Sequence, residues 1–229
     1  MVKCFGMSET MTMAASLDQQ LVRLLQCHIL PERSYLARGT AVYFYLRHRL
    51  SVDLDFFTES PFIVELFLSK MKRCFDEVAV EAMEQDTLIL FLSPEKIKFS
   101  LFHYPYSLLS STVALPIGEG LICPLASLSD ITAMKAVAIN QRGSIKDFID
   151  LFYLLQKTGL DFGGVSRLAI EKYDLDPHYD YHLRTSFVYF EDAERELDQI
   201  VMLAGGQEKR RLTAKEWEHI KAFFEVFVR

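Results

Sequence analysis

The sequence predicts an α+β fold: a mixed β-sheet with flanking helices over residues 1–125, followed by a helical part over residues 126–229. Three observations predict it. Short apolar runs bounded by turn residues recur between Tyr35 and Cys123. Beyond Pro124 the apolar residues fall at helical spacing instead. Finally, 229 residues with 50% apolar content and only 10 Gly and 7 Pro can bury one good core, or a core plus a helical extension.

Taken in order, Leu17 to Leu30 has the pattern of an amphipathic helix (Leu21, Leu24, Leu25, His28) stopped by Pro31. A strand at Tyr35 to Ala37 leads into Gly39-Thr40, where a strand-to-helix turn is expected, and Ala41 to Leu50 reads as a short apolar helix. Val52 to Phe57 reads as the next strand, and Pro61 opens a helix through Phe75. Glu77 to Met83, Thr87 to Leu92 and Ile97 to Phe102 read as strands, the last two joined at Ser93-Pro94-Glu95. Val113 to Ile117 and Leu121 to Cys123 suggest a hairpin around Gly118-Glu119-Gly120. The expected C-terminal helices are 128–141, 144–157, 162–172, 181–203 and 213–228.

The chemistry concentrates in residues 35–57. On a strand from Val52, Val52, Leu54 and Phe56 enter a core, while Asp53 and Asp55 project together from the other face, roughly 6–7 Å apart. At an effective dielectric near 20 their repulsion is about 2–3 kcal/mol. A cation between them relieves it, and Mg2+ suits hard oxygen ligands that it shares with water and substrate phosphates. Gly39 permits close backbone approach to a ligand, the helix N-terminus offers N–H groups to an anion, and Thr40 can cap the helix and add a hydroxyl. The bland alternative is an ordinary helix start followed by a solvated strand end.

A Gly-Thr pair, a helix and Asp-x-Asp on a strand resemble the nucleotidyltransferase signature. The longer string GTAVYFYLRHRLSVDLDFF resembles the AbiEii/AbiGii toxins, nucleotidyltransferase-like proteins that include the MenT toxins. That family typically reads Gly-Gly-Thr-Ala-Leu, then His-Arg-x-Ser-x-Asp-x-Asp-x-Phe. Gly39, Thr40, Ala41, His48, Arg49, Ser51, Asp53, Asp55 and Phe57 fit, and Arg38 stands where the family has its first glycine. LSDITAMKAVAINQRGSIKDFIDLFYLL, residues 128–155, resembles the downstream family segment. Read by itself, this segment has Ser129 capping one helix, Arg142-Gly143 ending it, and Asp147 and Asp150 on one face of the next.

The resemblance implies a nucleotidyltransferase-like fold and a Mg2+-dependent transfer of NMP from an NTP to an RNA acceptor such as a tRNA 3′ end. It also implies a toxin–antitoxin or phage-defence setting with a cognate antitoxin encoded nearby. It makes Asp53 and Asp55 metal ligands, Gly39, Thr40, Arg49 and Ser51 part of the nucleotide site, Lys135 a phosphate contact, and Asp147 a further charged site residue; Arg49, at the end of the motif helix, reads as contacting phosphate or as steadying a carboxylate. Asp150 and Arg142 are secondary candidates for positioning, and His48 is a structural hydrogen-bonder. For Lys135 and the two aspartates, a solvated lysine and ordinary helix-start acids are the competing reading.

One departure stands out. Many nucleotidyltransferases carry a third carboxylate on a later strand; KIKFSLFHY, residues 96–104, offers Ser100 there. A serine takes no proton without an adjacent base. Three readings follow: substrate phosphate completes the metal shell, Asp147 substitutes, or the fold binds nucleotide or RNA without catalysis. A small-molecule nucleotidyltransferase is a further alternative, from which the long His-Arg-x-Ser match separates this chain.

The formal charge of -6 argues against broad nonspecific nucleic-acid binding. Local patches still differ: Arg38, Arg47, His48 and Arg49 beside the proposed site, and Lys209, Arg210, Arg211 and Lys215, which read as a solvated loop and helix start or as an RNA-backbone contact. Phe99, Phe102, Tyr104 and Tyr106 read as core or rim residues, with base stacking as the alternative. Cys4, Cys27, Cys74 and Cys123 lack metal-ligand spacing, which suggests idle thiols in a reducing cytoplasm. The first sixteen residues carry no sustained apolar core, and no run nears the roughly 18 residues of a membrane helix, so a soluble protein with no membrane partner is expected.

Overall fold

The structure, a computed structural model, describes residues 7–94, 96–118, 120–205 and 208–229, with side chains from residue 17 onward. The start of the N-terminal stretch, together with Glu95 and Glu119 in two expected turns, lies outside the described residues. The chain forms two compact units. One comprises Met1–Thr40, Val52–Pro105 and Thr112–Leu125; the other comprises Ala41–Ser51, Tyr106–Ser111 and Ala126–Arg229. Residue 125 is thus one of several points where the chain passes from one unit to the other.

The first unit is built on a mixed sheet with, among the described residues, seven strands. They are β1 (Tyr35–Leu36), β2 (Leu54–Thr58), β3 (Val78–Glu84), β4 (Thr87–Leu92), β5 (Ile97–His103), β6 (Val113–Gly118) and β7 (Leu121–Leu125), in the order β3-β4-β5-β2-β1-β7-β6. β2 lies between β5, parallel to it, and β1, antiparallel to it. The sheet's helices are α1 (Met7–Gln26) and α3 (Val64–Cys74). α3 shows helical periodicity plainly: Val64, Phe67, Met71 and Cys74 are its buried residues. Phe67 stacks on Phe99, which also meets Phe56, so apolar alternation along β2 and β5 supplies one side of this core.

Cys27 and Cys74 form a disulfide between the end of α1 and the end of α3, with Cα atoms 6.1 Å apart. This corrects the expectation of idle thiols: packing the two helices on one sheet brings together residues 47 positions apart, which spacing alone does not reveal. Arg23 reinforces the junction, donating to the Cys74 carbonyl and pairing with Asp76. Cys123 is a buried free thiol, pushed up to about 12 by burial.

α2 (Arg38–Leu46) bridges the units along the chain. It ends before its expected limit because Arg47 takes φ 49°, and it starts at Arg38, φ 55°, instead of Ala41.

The second unit contains α4 (Leu128–Arg142), α5 (Ile145–Thr158), α6 (Phe162–Tyr173), α7 (Tyr179–Ser186), α8 (Glu191–Glu194) and α9 (Ala214–Phe227). It is not all helical. The expected helix 181–203 ends at Ser186, and Val201–Ala204 (β8) pairs antiparallel with Glu208–Arg211 (β9). His48–Leu50 adds to the outer edge of β8: Leu50 N donates to Val201 O, Leu203 N donates to His48 O, and Arg49 bridges Met202. The basic run Lys209 to Arg211 is therefore strand, not loop, and Arg210 is bound to Glu216 at the capping box of α9.

α4 is capped by Ser127, which accepts from Asp130 N, and not by the expected Ser129. Gly143 in the left-handed conformation ends it as expected. The core of this unit is aromatic: Phe148 meets Phe190, Trp217 and Phe224. Phe148→Ala is expected to lower unfolding free energy by about 3–5 kcal/mol. The check is the urea midpoint followed by fluorescence of Trp217, the chain's single tryptophan.

Candidate active site

In the sheet unit, Asp53 immediately precedes β2 and is exposed, while Asp55 lies in the strand and is half-buried. The strand starts later than the sequence suggested because the Thr40 hydroxyl, 2.5 Å away, donates to the carbonyl of Asp53. Ala37 N donates to Asp55 O. Thr40 ties the first turn of α2 to the backbone at Asp53. Gly39 sits in that same first turn, where backbone N–H groups lack intrahelical acceptors.

Ser100 is the β5 partner of Asp55 in the parallel ladder and is buried. The residue beside Asp55 on this neighbouring strand therefore carries a hydroxyl and not an acid. Asp55 faces one further charge, the Arg38 guanidinium, 3.7 Å from Oδ1. Arg38 lies over the rings of Phe57 and Phe102 at 5.2 and 4.7 Å. Phe99 and Tyr104 pack within the same unit, Tyr104 edge-on to Phe57.

In the helical unit, Lys135, Asp147 and Asp150 come together with His48 and Arg49. Arg49 grips Asp150 through two bonds of 2.6 and 2.7 Å. His48 Nε2 lies 2.7 Å from the same carboxylate. Lys135 Nζ is 2.6 Å from Asp150 and 2.8 Å from Asp147. Arg142 closes on Asp147 at 2.7 and 3.0 Å. Only the Arg142 side chain is substantially exposed.

These contacts decide what the residues can do. Burial opposes ionisation of Asp147, yet Lys135 and Arg142 hold its carboxyl below the usual range. Burial likewise opposes ionisation of Asp150, and Arg49, Lys135 and His48 hold it well below. His48 is pushed down by burial, against the pull of Asp150 and with the help of Arg49 and Lys135. Neutral His48 then donates from Nε2 to Asp150, which leaves Nδ1 buried without a hydrogen-bond partner among the described residues. Lys135 is not the solvated lysine of one expectation: it is buried, and two carboxylates engage its ammonium. Asp147 is likewise buried and engaged by two cations, Lys135 and Arg142. Among the described residues no group of three or more His, Cys, Asp or Glu is arranged to hold a metal.

Sequence reasoning missed a second buried pair, Lys172 to Asp130 at 2.7 Å, where Asp130 also accepts from Leu109 N and Ser110 N. Nothing local marks Lys172, whose partner is 42 residues away. Arg38 was visible as a mismatch to the family pattern and as one member of a basic patch.

The family described as "Nucleotidyl transferase AbiEii toxin, Type IV TA system" matches residues 20–227. The chain belongs to this family. A protein of Aquifex aeolicus (strain VF5), aq_aa25, described as uncharacterised, is 37% identical over 194 residues, covering 83% of this chain and 84% of that one. The crystal structure of JHP933 from Helicobacter pylori overlays with a TM-score of 0.52 at 12% identity, covering 80% of this chain and 91% of that chain. MenT4, a nucleotidyltransferase toxin of Mycobacterium tuberculosis H37Rv, overlays with a TM-score of 0.49 at 18% identity, covering 92% and 84%. The AbiEii match makes this chain a nucleotidyltransferase of a toxin–antitoxin family, on a fold shared with the H. pylori structure. No helix among its described residues is long and apolar enough to cross a membrane.

The buried network sets an acid limit. A group whose folded pKa is depressed contributes stability above its unfolded value and loses it as pH falls through the folded one. For His48 the loss starts below 6.5, and for Asp147 and Asp150 below 3.8. The urea midpoint is expected to fall from pH 8 to 5 in the natural protein and to flatten in His48→Gln, which keeps a donor to Asp150 without the titration. Asp150→Asn, which leaves Arg49 and Lys135 buried without their full counter-charge, is expected to cost about 3–5 kcal/mol by the same measurement.

Proposed function

We propose that this chain transfers a nucleoside monophosphate from an NTP to an RNA acceptor of the tRNA class, as the toxin of a pair whose antitoxin is encoded nearby. The observation that carries the reading is the placement of Asp53 and Asp55 at the mouth of β2, with the first turn of α2 tied to the Asp53 backbone through Thr40. The donor set fits a divalent cation: two hard carboxylates, one exposed and one half-buried, with Ser100 in register beside Asp55. Mg2+ bound there would neutralise charge on the triphosphate and on the departing pyrophosphate.

The chain's own residues then divide the work. Asp53 and Asp55 hold the ion, and Gly39 with the amides of the first turn of α2 receives phosphate. Substrate phosphate, and not Asp147, completes the coordination left open by Ser100. Chemically, the acceptor hydroxyl attacks the α-phosphorus, its proton is lost, and the bond to pyrophosphate breaks. Lys135, Asp147, Asp150, His48 and Arg49 act by fixing the segment through Ser51 that runs into Val52 and Asp53 along the chain.

Purified protein incubated with each labelled NTP, Mg2+ and total tRNA is expected to label RNA. Asp53→Ala or Asp55→Ala should reduce labelling by at least about 100-fold while circular dichroism stays unchanged. Nucleotide binding with no turnover under any NTP, or label appearing on an aminoglycoside in place of RNA, would overturn the assignment.

A further inference from the structure

We propose that Arg38 makes the Asp53–Asp55 site take a divalent cation together with a nucleoside triphosphate in preference to the cation alone; this rests on the two-carboxylate reading above. Arg38 occupies a backbone position with φ 55°, a left-handed conformation that glycine takes freely and other residues take at a cost. Its guanidinium carbon lies over the faces of Phe57 and Phe102, at 5.2 and 4.7 Å from the ring centroids, which hold the side chain in place. The nearest approach to Asp55 is 3.7 Å, an electrostatic contact beyond hydrogen-bond length, so this carboxylate does not consume the guanidinium donors. The side chain is 38% exposed, within reach of solvent and solutes.

Charge sets the consequence. Two carboxylates alone attract a bare divalent cation. A fixed guanidinium beside one of them opposes that cation. A metal–triphosphate complex is a net anion, and for it the sign of the Arg38 interaction reverses: a planar cation with a fork of donors matches phosphate oxygens. Arg38 thus weakens the empty-handed metal and strengthens the metal–nucleotide complex. The same guanidinium sets the site's preference in both directions.

The test uses the full chain and Mn2+, whose free concentration is read by electron paramagnetic resonance without turnover. Titrations run with Mn2+ alone and with Mn2+ plus the α,β-methylene analogue of each ribonucleoside triphosphate. Arg38→Gly, which suits the backbone at this position, is expected to bind Mn2+ alone about 5–10-fold tighter and the Mn2+–analogue complex about 5–10-fold weaker. Arg38→Lys, keeping the charge without the stacked fork, should fall between on both. Shifts of the same sign, or no shift in either titration, overturn the role of Arg38 provided that Asp55→Ala has lost Mn2+ binding. If Asp55→Ala binds Mn2+ as the natural protein does, the two-carboxylate reading itself falls, and the Arg38 proposal with it.

Discussion

The wholly buried carboxylate of Asp150 is the constraint from which the helical unit's arrangement follows. An isolated ionised carboxylate at such a depth is prohibitive, and its cost is offset only when each oxygen is fully engaged. Here Arg49, Lys135 and His48 all converge on it. Because Arg49 and His48 sit between α2 and β2 in the chain while Asp150 sits in α5, satisfying one carboxylate also fixes a connecting segment that has no regular structure of its own. The edge pairing of His48–Leu50 with β8 secures the same segment through its backbone. Side chains and main chain therefore impose one geometry by independent means.

This gives the His-Arg-x-Ser-x-Asp-x-Asp string a division of labour. Its first pair, His48 and Arg49, is buried and spent on Asp150, whereas Asp53 is exposed and Asp55 half-buried. Arg49, Lys135 and Arg142 converge on Asp147 and Asp150, and burial, helped by the Arg49 and Lys135 charges, pushes the His48 imidazole down against the pull of Asp150. Neutral histidine is the consequence, and its donor nitrogen is spent on Asp150. A residue type associated with proton transfer at neutral pH is here a fixed donor, because burial, with Arg49 and Lys135, disfavours the charged form more than Asp150 favours it.

Local patterns made the sheet unit legible and nonlocal ones did not. The strands at β2 and β5 and the helix after β1 depend on residues within one element or on adjacent strands, and they form there with shifted ends: β2 starts two residues later than expected and α2 three residues earlier. The disulfide, the Lys172–Asp130 pair and the destination of Lys135 depend on partners far along the chain. The β8–β9 hairpin failed for a different reason. Val201, Met202 and Leu203 continue an apolar, helix-compatible run, and the strand state is chosen by its partners at His48–Leu50 and Arg211, remote or still to come in sequence. Gly205, at φ 57°, between a four-residue apolar run and a basic one, was the available hairpin signal.

The two departures from the family pattern act on the same carboxylate. Ser100 sits beside Asp55 in the ladder, and an acid there would add a third negative charge to a half-buried strand pair. Arg38 approaches Asp55 and brings a positive one. Each change makes the strand end less negative, so together they lower its attraction for a bare dication more than either alone. A protein surface that supplies fewer anionic ligands must draw the remainder from what it binds, and a triphosphate offers oxygens of the right hardness. On the reading proposed above, Ser100 and Arg38 belong to one electrostatic arrangement: the substrate would contribute the negative charge that the strand pair lacks, and the guanidinium would recognise it.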